Sequence, residues 1–360
     1  MKKSNRLVVL FLASFISVTS CKKAENPQPG TTATTFAAGI FITNEGPYGS
    51  GTGTVSFYNR STKAVQNDIF ASVNNRPLGN IVQSMAVNNG KGYLVVNNAG
   101  KVEVVTVDDF KSVGVITGLT QPRYFLAIDN TKGYVSQWGS VSSSIAVVNL
   151  SNNTVTKKIP TGSGAERMVK VGTKVFVINS GGNSTDNSIT VIDSQTDNAL
   201  TFTVGDSPNS IQLDTNNKLW VLCGGKKVYD TNYAIDTTQS TVGRLLRIDP
   251  TSNAIEFSVS FNSKSLSPSH LVLNTTKNKL YYTYSSQVYN FDIASTTLNT
   301  TSLISKNFYG MDIDPVSGYL YGSDPLDYQK NGYVYRYNLT TAAKVDSFQV
   351  GVIPGNFYFR

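Results

Sequence analysis

A set of four short apolar segments recurs along most of this 360-residue chain, and that repetition constrains the fold more than any other feature. One copy reads Ser207-Pro208-Asn209-Ser210-Ile211-Gln212-Leu213-Asp214, then Lys218-Leu219-Trp220-Val221-Leu222. It continues with Arg244-Leu245-Leu246-Arg247-Ile248-Asp249 and, after a turn, Ala254-Ile255-Glu256-Phe257-Ser258-Val259. The third segment sets the register, because each copy ends in Asn or Asp before a polar turn. These ends fall at Asn59, Asp108, Asn149, Asp193, Asp249, Asp292 and Asn338. Asx side chains close such turns by accepting backbone N–H groups two residues on. The spacings are 49, 41, 44, 56, 43 and 46 residues, and the long one holds an insertion between Gly224 and Val242.

Alternation of period two, with no helical stripe, makes the chain all-β. Four antiparallel strands about every 46 residues match the blades of a β-propeller. The first copy begins at its second strand, Gly39-Ile40-Phe41-Ile42-Thr43-Asn44. The chain finishes on Ile353-Pro354-Gly355-Asn356-Phe357-Tyr358-Phe359-Arg360, a first strand with nothing after it. The C-terminal strand is therefore predicted to complete the first blade and close a ring of seven, which removes the open edges. No blade buries its faces alone, so residues 39–360 are predicted to be one domain.

Charged residues make up only 15% of the chain, against about 25% in an average soluble protein, which excludes coiled coils and acidic tails. Residues 1–20 read as a secretory signal. Lys2, Lys3 and Arg6 precede a 12-residue apolar run, 7–18, too short to span a bilayer. Without those three of the 31 basic residues, 28 face 23 acidic ones, and no basic stripe suggests nucleic acid. Val18-Thr19-Ser20-Cys21 resembles a bacterial lipobox, which implies lipidation of Cys21 and stable anchoring by several acyl chains. Residues 21–38 then form the lipidated end and a polar, Pro-bearing tether. With Cys21 lipidated, Cys223 has no partner in the chain and is expected to be a buried, inert thiol.

The second-strand copies, among them Gly92-Tyr93-Leu94-Val95-Val96-Asn97 and Lys174-Val175-Phe176-Val177-Ile178-Asn179, resemble the YVTN repeat of YncE-like seven-bladed propellers across residues 39–360. The segments Ile42-Thr43-Asn44-Glu45-Gly46-Pro47-Tyr48-Gly49-Ser50-Gly51 and Val350-Gly351-Val352-Ile353-Pro354-Gly355-Asn356-Phe357-Tyr358-Phe359 resemble the ends of Bacteroidetes surface propeller lipoproteins. The BtuG-type members of that group capture cobalamin and hand it to an outer-membrane transporter. The resemblance thus implies a ligand-binding lipoprotein of the outer membrane, displayed at the cell surface, with a corrinoid as ligand and a transporter as partner. Lys22-Lys23-Ala24-Glu25 departs from the acidic export signal of such surface proteins, which leaves the periplasmic face open.

In this strand order the start of each first strand faces the central channel on the loop face. Counting from the turns places Gln83, Arg123, Arg167, Asn209, His270, Tyr309 and Asn356 in that ring. The ring is polar, weakly cationic and rich in amides, and suits a ligand with amides, hydroxyls or a phosphate. Long loops around it carry Tyr48, Trp138, Tyr233 and Tyr328, aromatics of the kind that enrich recognition surfaces. Glu166 is the one acid placed near the ring, where a salt bridge with Arg167 accounts for it. His270 is the only histidine, so His-based zinc sites and Ser-His-Asp triads are not expected. No metal loop or phosphate-cradling Gly loop is present either. The expectation is binding without chemistry and without a required cofactor. A lactonase- or lyase-type propeller enzyme and a protein- or glycan-binding scaffold are the alternatives.

Overall fold

In the computed structural model of the protein, residues 35–47, 49–139 and 142–360 are described. The leader, Cys21, the tether up to residue 34 and Tyr48 lie outside the described residues. Seven antiparallel sheets form the blades of a β-propeller. The inner strands are Val82–Asn88, Pro122–Ala127, Ala165–Val171, Pro208–Leu213, Ser269–Leu273, Met311–Ile313 and Pro354–Phe359. Outward of them lie the second strands Gly39–Asn44, Lys91–Val96, Lys132–Gln137, Lys174–Asn179, Leu219–Cys223, Lys279–Tyr284 and Leu320–Asp324. We number the blades one to seven by these second strands. Their near-continuous apolar runs follow from burial on both faces, as in Gly39–Asn44 and Leu219–Cys223, where every residue is buried. The outer strands face solvent and alternate instead, as in Ile255–Ser260.

Blade six departs from the four-stranded plan. It has three strands, and its outer place is taken by an irregular segment joined through one bridge, Val288 to Ile304. The one α-helix among the described residues, Ile69–Asn74, covers blades one and two and buries Ile69 and Phe70. The core lies between neighbouring blades. Phe41 of blade one stacks on Phe110 at 5.3 Å, while Phe36 packs edge-on to Phe57 at 5.1 Å. The folded body thus reaches back to Phe36, three residues before the first strand. Trp220 is fully buried and donates from Nε1 to Asp214 at 2.8 Å. Cys223 is buried as expected, and burial pushes its thiol up to about 12.

The turn chemistry follows the repeat in six blades. Asn59, Asn149, Asp193, Asp249, Asp292 and Asn338 each accept backbone N–H groups from the turn beyond them. In blade two Asp109 takes that role, and Asp108 is released to bind Arg360.

The ring closes where Pro354–Phe359 pairs antiparallel with Gly39–Asn44, Phe357 facing Ile42. Arg360 extends the seam by donating to the carbonyls of Phe36 at 2.7 Å and Val107 at 3.2 Å. Arg60 of blade one holds Asp314 of blade seven through two bonds, at 3.0 and 2.9 Å. The Asp314 side chain is 0% exposed and that of Arg60 is 16% exposed. Burial by itself would raise the Asp314 carboxyl, but the hydrogen bonds from Arg60 and Ser317 outweigh it and hold the carboxyl low. Arg60→Ala strands this charge and is expected to cost about 3–5 kcal/mol at pH 7. A depressed carboxyl stabilises the fold above its unfolded value of 3.8 and loses that contribution as pH falls through the lower folded value. Urea denaturation should therefore show the gap between wild type and variant closing below about pH 4. A gap independent of pH would refute the assignment.

Candidate functional site

The inner strands enter the channel through bulges, and the bulges deliver the site. Pairing with the second strand breaks between Val82 and Ser84, Pro122 and Phe125, Ala165 and Met168, Pro208 and Ser210, and Ser269 and Val272. The residues skipped are Gln83, Arg123 with Tyr124, Glu166 with Arg167, Asn209, and His270 with Leu271. A bulge leaves its extra residues off the ladder and re-aims their side chains. Buried serines meet the N–H groups so freed. Ser136 accepts from Tyr124 at 3.1 Å, and Ser210 from Leu271 of the next blade at 3.2 Å. His270 itself sits at φ 56°, a left-handed conformation uncommon for a residue with a side chain.

All seven residues of the predicted ring line one funnel of about 290 Å³ on the loop face: Gln83, Arg123, Arg167, Asn209, His270, Tyr309 and Asn356. Two acids join them that the sequence reading missed, Glu45 and Asp312, along with Gln212 deeper in the channel. With Glu166, three carboxyls therefore face two guanidiniums, and the funnel is not the cationic ring expected. The expected Glu166–Arg167 pair is also absent. Glu166 accepts instead from Arg123 Nε at 3.0 Å and from Trp138 Nε1 at 3.0 Å. Adjacent residues in a bulge point apart, so sequence neighbours do not pair. Arg123 further donates to Gln83 and lies 4.3 Å from the Trp138 ring centre.

Tyr309 donates to Glu45 at 3.0 Å, and Tyr328 leans edge-on against Tyr309 at 5.9 Å. Asn209 donates to the Pro268 carbonyl at 2.9 Å, tying blades five and six. Of the loop aromatics, Trp138 is part of the site's support and Tyr328 of its rim. Tyr233, 89% exposed, does not line the funnel.

Two groups are left available. Arg167 stacks on Tyr124 at 4.7 Å and has no hydrogen bond or ion pair among the described residues. Asp312 accepts only the Ile313 N–H, at 2.8 Å. Burial pushes the Asp312 carboxyl up to about 6, against the pull of Arg167. Burial and the nearby Arg167 charge hold His270 down to about 4, so it is neutral at pH 7. Its Nδ1 lies 3.1 Å from both Ser269 and Thr283 hydroxyls. Burial also raises Glu45 and Glu166. Such a set of displaced acids and a free guanidinium in one cleft can bind a polar ligand and move protons on it. Asp312 had a sequence signal, since Met311-Asp312-Ile313 aligns with Ile211-Gln212-Leu213. Glu45 had none beyond its place after a second strand.

A closed ring of seven antiparallel blades around a polar loop-face funnel defines the molecule as a seven-bladed β-propeller with a built cleft. Its family is the domain of unknown function DUF5074, to which the chain belongs across residues 38–359. No curated protein matches the sequence. Among solved structures it is similar to a quinonprotein alcohol dehydrogenase-like protein of Bacteroides thetaiotaomicron, at TM-score 0.68 and 14% identity, covering 90% of this chain and 79% of that one. It is similar to the periplasmic gluconolactonase PpgL of Pseudomonas aeruginosa, at TM-score 0.63 and 11% identity, over 90% and 99% of the two chains. A proposed 6-phosphogluconolactonase of Bacteroides uniformis gives TM-score 0.63 and 12% identity with the same coverage. At these identities the likeness is one of fold. It still corrects the expectation of a chain without chemistry, because this fold is shared with lactone-hydrolysing propellers at 90% coverage.

Proposed function

We propose that the chain is a hydrolase that opens a small, polar cyclic ester in the loop-face funnel. The observation that carries this is the pair Arg167 and Asp312, which line one cleft while neither has a side-chain hydrogen-bond partner among the described residues. Ionised Asp312 takes a proton from a water molecule as the water oxygen bonds to the ester carbonyl carbon. Arg167 takes the charge that develops on the carbonyl oxygen. The ring C–O bond then breaks, and the proton passes from Asp312 to the leaving alkoxide, giving a hydroxy acid. His270 and Asn209 supply neutral hydrogen-bonding groups for ligand hydroxyls.

The base must be ionised, so activity is expected to rise with pH through about 6 and level above it. Asp312→Asn should lower kcat about a hundredfold or more and remove that inflection. Acid release from D-glucono-1,5-lactone and related sugar and aliphatic lactones, above the spontaneous rate, is the assay. No hydrolysis across that panel would refute the reading.

The resemblance to YncE-like and BtuG-type propellers supports a second proposal, corrinoid capture for a transporter. A corrinoid is several times the bulk of a 290 Å³ funnel, so it would rest on the rim, against Tyr328. Calorimetry with cyanocobalamin reads it directly. Anchoring through lipid on Cys21 is proposed on the lipobox, and a place at the outer membrane facing the cell surface on the resemblance to surface propeller lipoproteins. Incorporation of labelled palmitate that Cys21→Ser abolishes is the check.

A further inference from the structure

Asp312 and Gln212 line a second cavity as well as the funnel. This cavity, of about 390 Å³, lies at the other end of the channel. Its walls are Val169 and the last residues of three inner strands, Leu213, Leu273 and Ile313. The turn residues Asn274, Thr275 and Lys277 stand at its edge. Asp312 and Gln212 are thus reached from both ends, and an ester that fills the funnel leaves them open to water from the other side.

An amide and a carboxyl at this level of the channel are confined to two blades. Each second strand carries an aromatic here, such as Trp220 in blade five and Tyr321 in blade seven, and the inner strand presents one residue opposite it. Blades one to four and six place Tyr358, Ala86, Leu126, Val169 and Val272 there. Blades five and seven place Gln212 and Asp312. The Gln212 amide is oriented by its neighbour. Its Nε2 donates to the Leu271 carbonyl at 2.9 Å, and since a carbonyl can only accept, the amide nitrogen must take that side. Oε1 is left with no hydrogen-bond partner among the described residues. Gln212 and ionised Asp312 do not bond each other, and each offers an acceptor. Two acceptors are joined through a small molecule with two donor hydrogens, which water supplies.

We propose that Gln212 Oε1 and ionised Asp312 hold the hydrolytic water between them, and that this water enters through the second cavity while the ester occupies the funnel. The inference rests on the hydrolase reading. One water hydrogen passes to Asp312 as the oxygen bonds to the ester carbonyl carbon. The other stays on that oxygen, bonded to Gln212, and leaves with the product acid.

Lactone hydrolysis by two variants, with the denaturation midpoint of each, tests it. Gln212→Met removes the acceptor at nearly the same bulk. Its kcat should fall about tenfold with KM unchanged. The inflection at about pH 6 should be kept, because the base is still Asp312. A residue that only shaped the funnel would raise KM instead. Thr275→Trp, in an exposed turn, should narrow the second cavity and lower kcat about threefold or more, again without change in KM. Should Gln212→Met fail to fold, Thr275→Trp decides alone. An active wild type whose variants keep full kcat, or lose activity through KM, would overturn this inference and leave the hydrolase reading standing. A wild type inert toward every lactone would overturn both.

Discussion

A chain ending at residue 353 is expected to have no stable folded monomer. Pro354–Phe359 is the inner strand of blade one, and without it Gly39–Asn44 becomes an open edge whose every residue is apolar or buried. Phe357, 6% exposed, packs with Ile40, Ile42 and Tyr321, and Tyr358 packs against the Phe41 cluster. Deleting one such aromatic from a core costs about 3–5 kcal/mol. Phe357 and Tyr358, with Phe359 packed against the same cluster, together with the ladder and the Arg360 bonds, meet or exceed the roughly 5–15 kcal/mol by which domains are stable. Gel filtration and a denaturant titration of the truncated chain should show aggregates and no cooperative transition. A monomer that unfolds near the wild-type midpoint would show that the seam is dispensable.

Arg123→Ala should be the most damaging single change in the funnel. Arg123 is 18% exposed at its side chain and Glu166 10%, so the pair is shielded from solvent. Removing the guanidinium leaves Glu166 with only the Trp138 N–H and takes away the cation stacked on that indole. The expected cost is about 3–5 kcal/mol, read as a lower denaturation midpoint. Arg167→Met, by contrast, breaks no hydrogen bond among the described residues and should leave the midpoint within about 0.5 kcal/mol while removing activity. Two arginines of one ring thus have opposite expected signatures, one structural and one chemical. Equal losses of stability would refute the division.

That division could not be read from the chain. The ring itself was legible, because each of its residues can be counted from a turn to the start of an inner strand, and in five blades that start carries the bulge. Who pairs with whom was not. Glu166 reaches back to Arg123 in the blade before it, a contact 43 residues distant, and passes over its neighbour Arg167. Asp312 was visible as a polar residue interrupting an apolar strand, yet the chain alone does not say that its carboxyl lines the same cleft as Arg167. In blade two the capping role moves by one residue, from Asp108 to Asp109, which frees Asp108 for Arg360. Blade six loses its outer strand although its sequence spacing is ordinary. Phe36 looked like tether because it stands alone in a polar stretch, and only the packing of Phe57 and Phe110 around it places it in the core.

The seam between the two ends sets the order of assembly. Phe36 and Arg360 meet across 324 residues of intervening chain. During synthesis the second strand of the first blade emerges long before Pro354–Phe359, the strand that completes it. Long-range pairing of this kind is slow to form, since the loop must close before any contact rewards it. The strand Gly39–Asn44 must therefore be shielded by something else until Pro354–Phe359 has emerged. A ribosome stalled before Pro354 would release a chain with its stickiest edge uncovered, a substrate for chaperones or proteases.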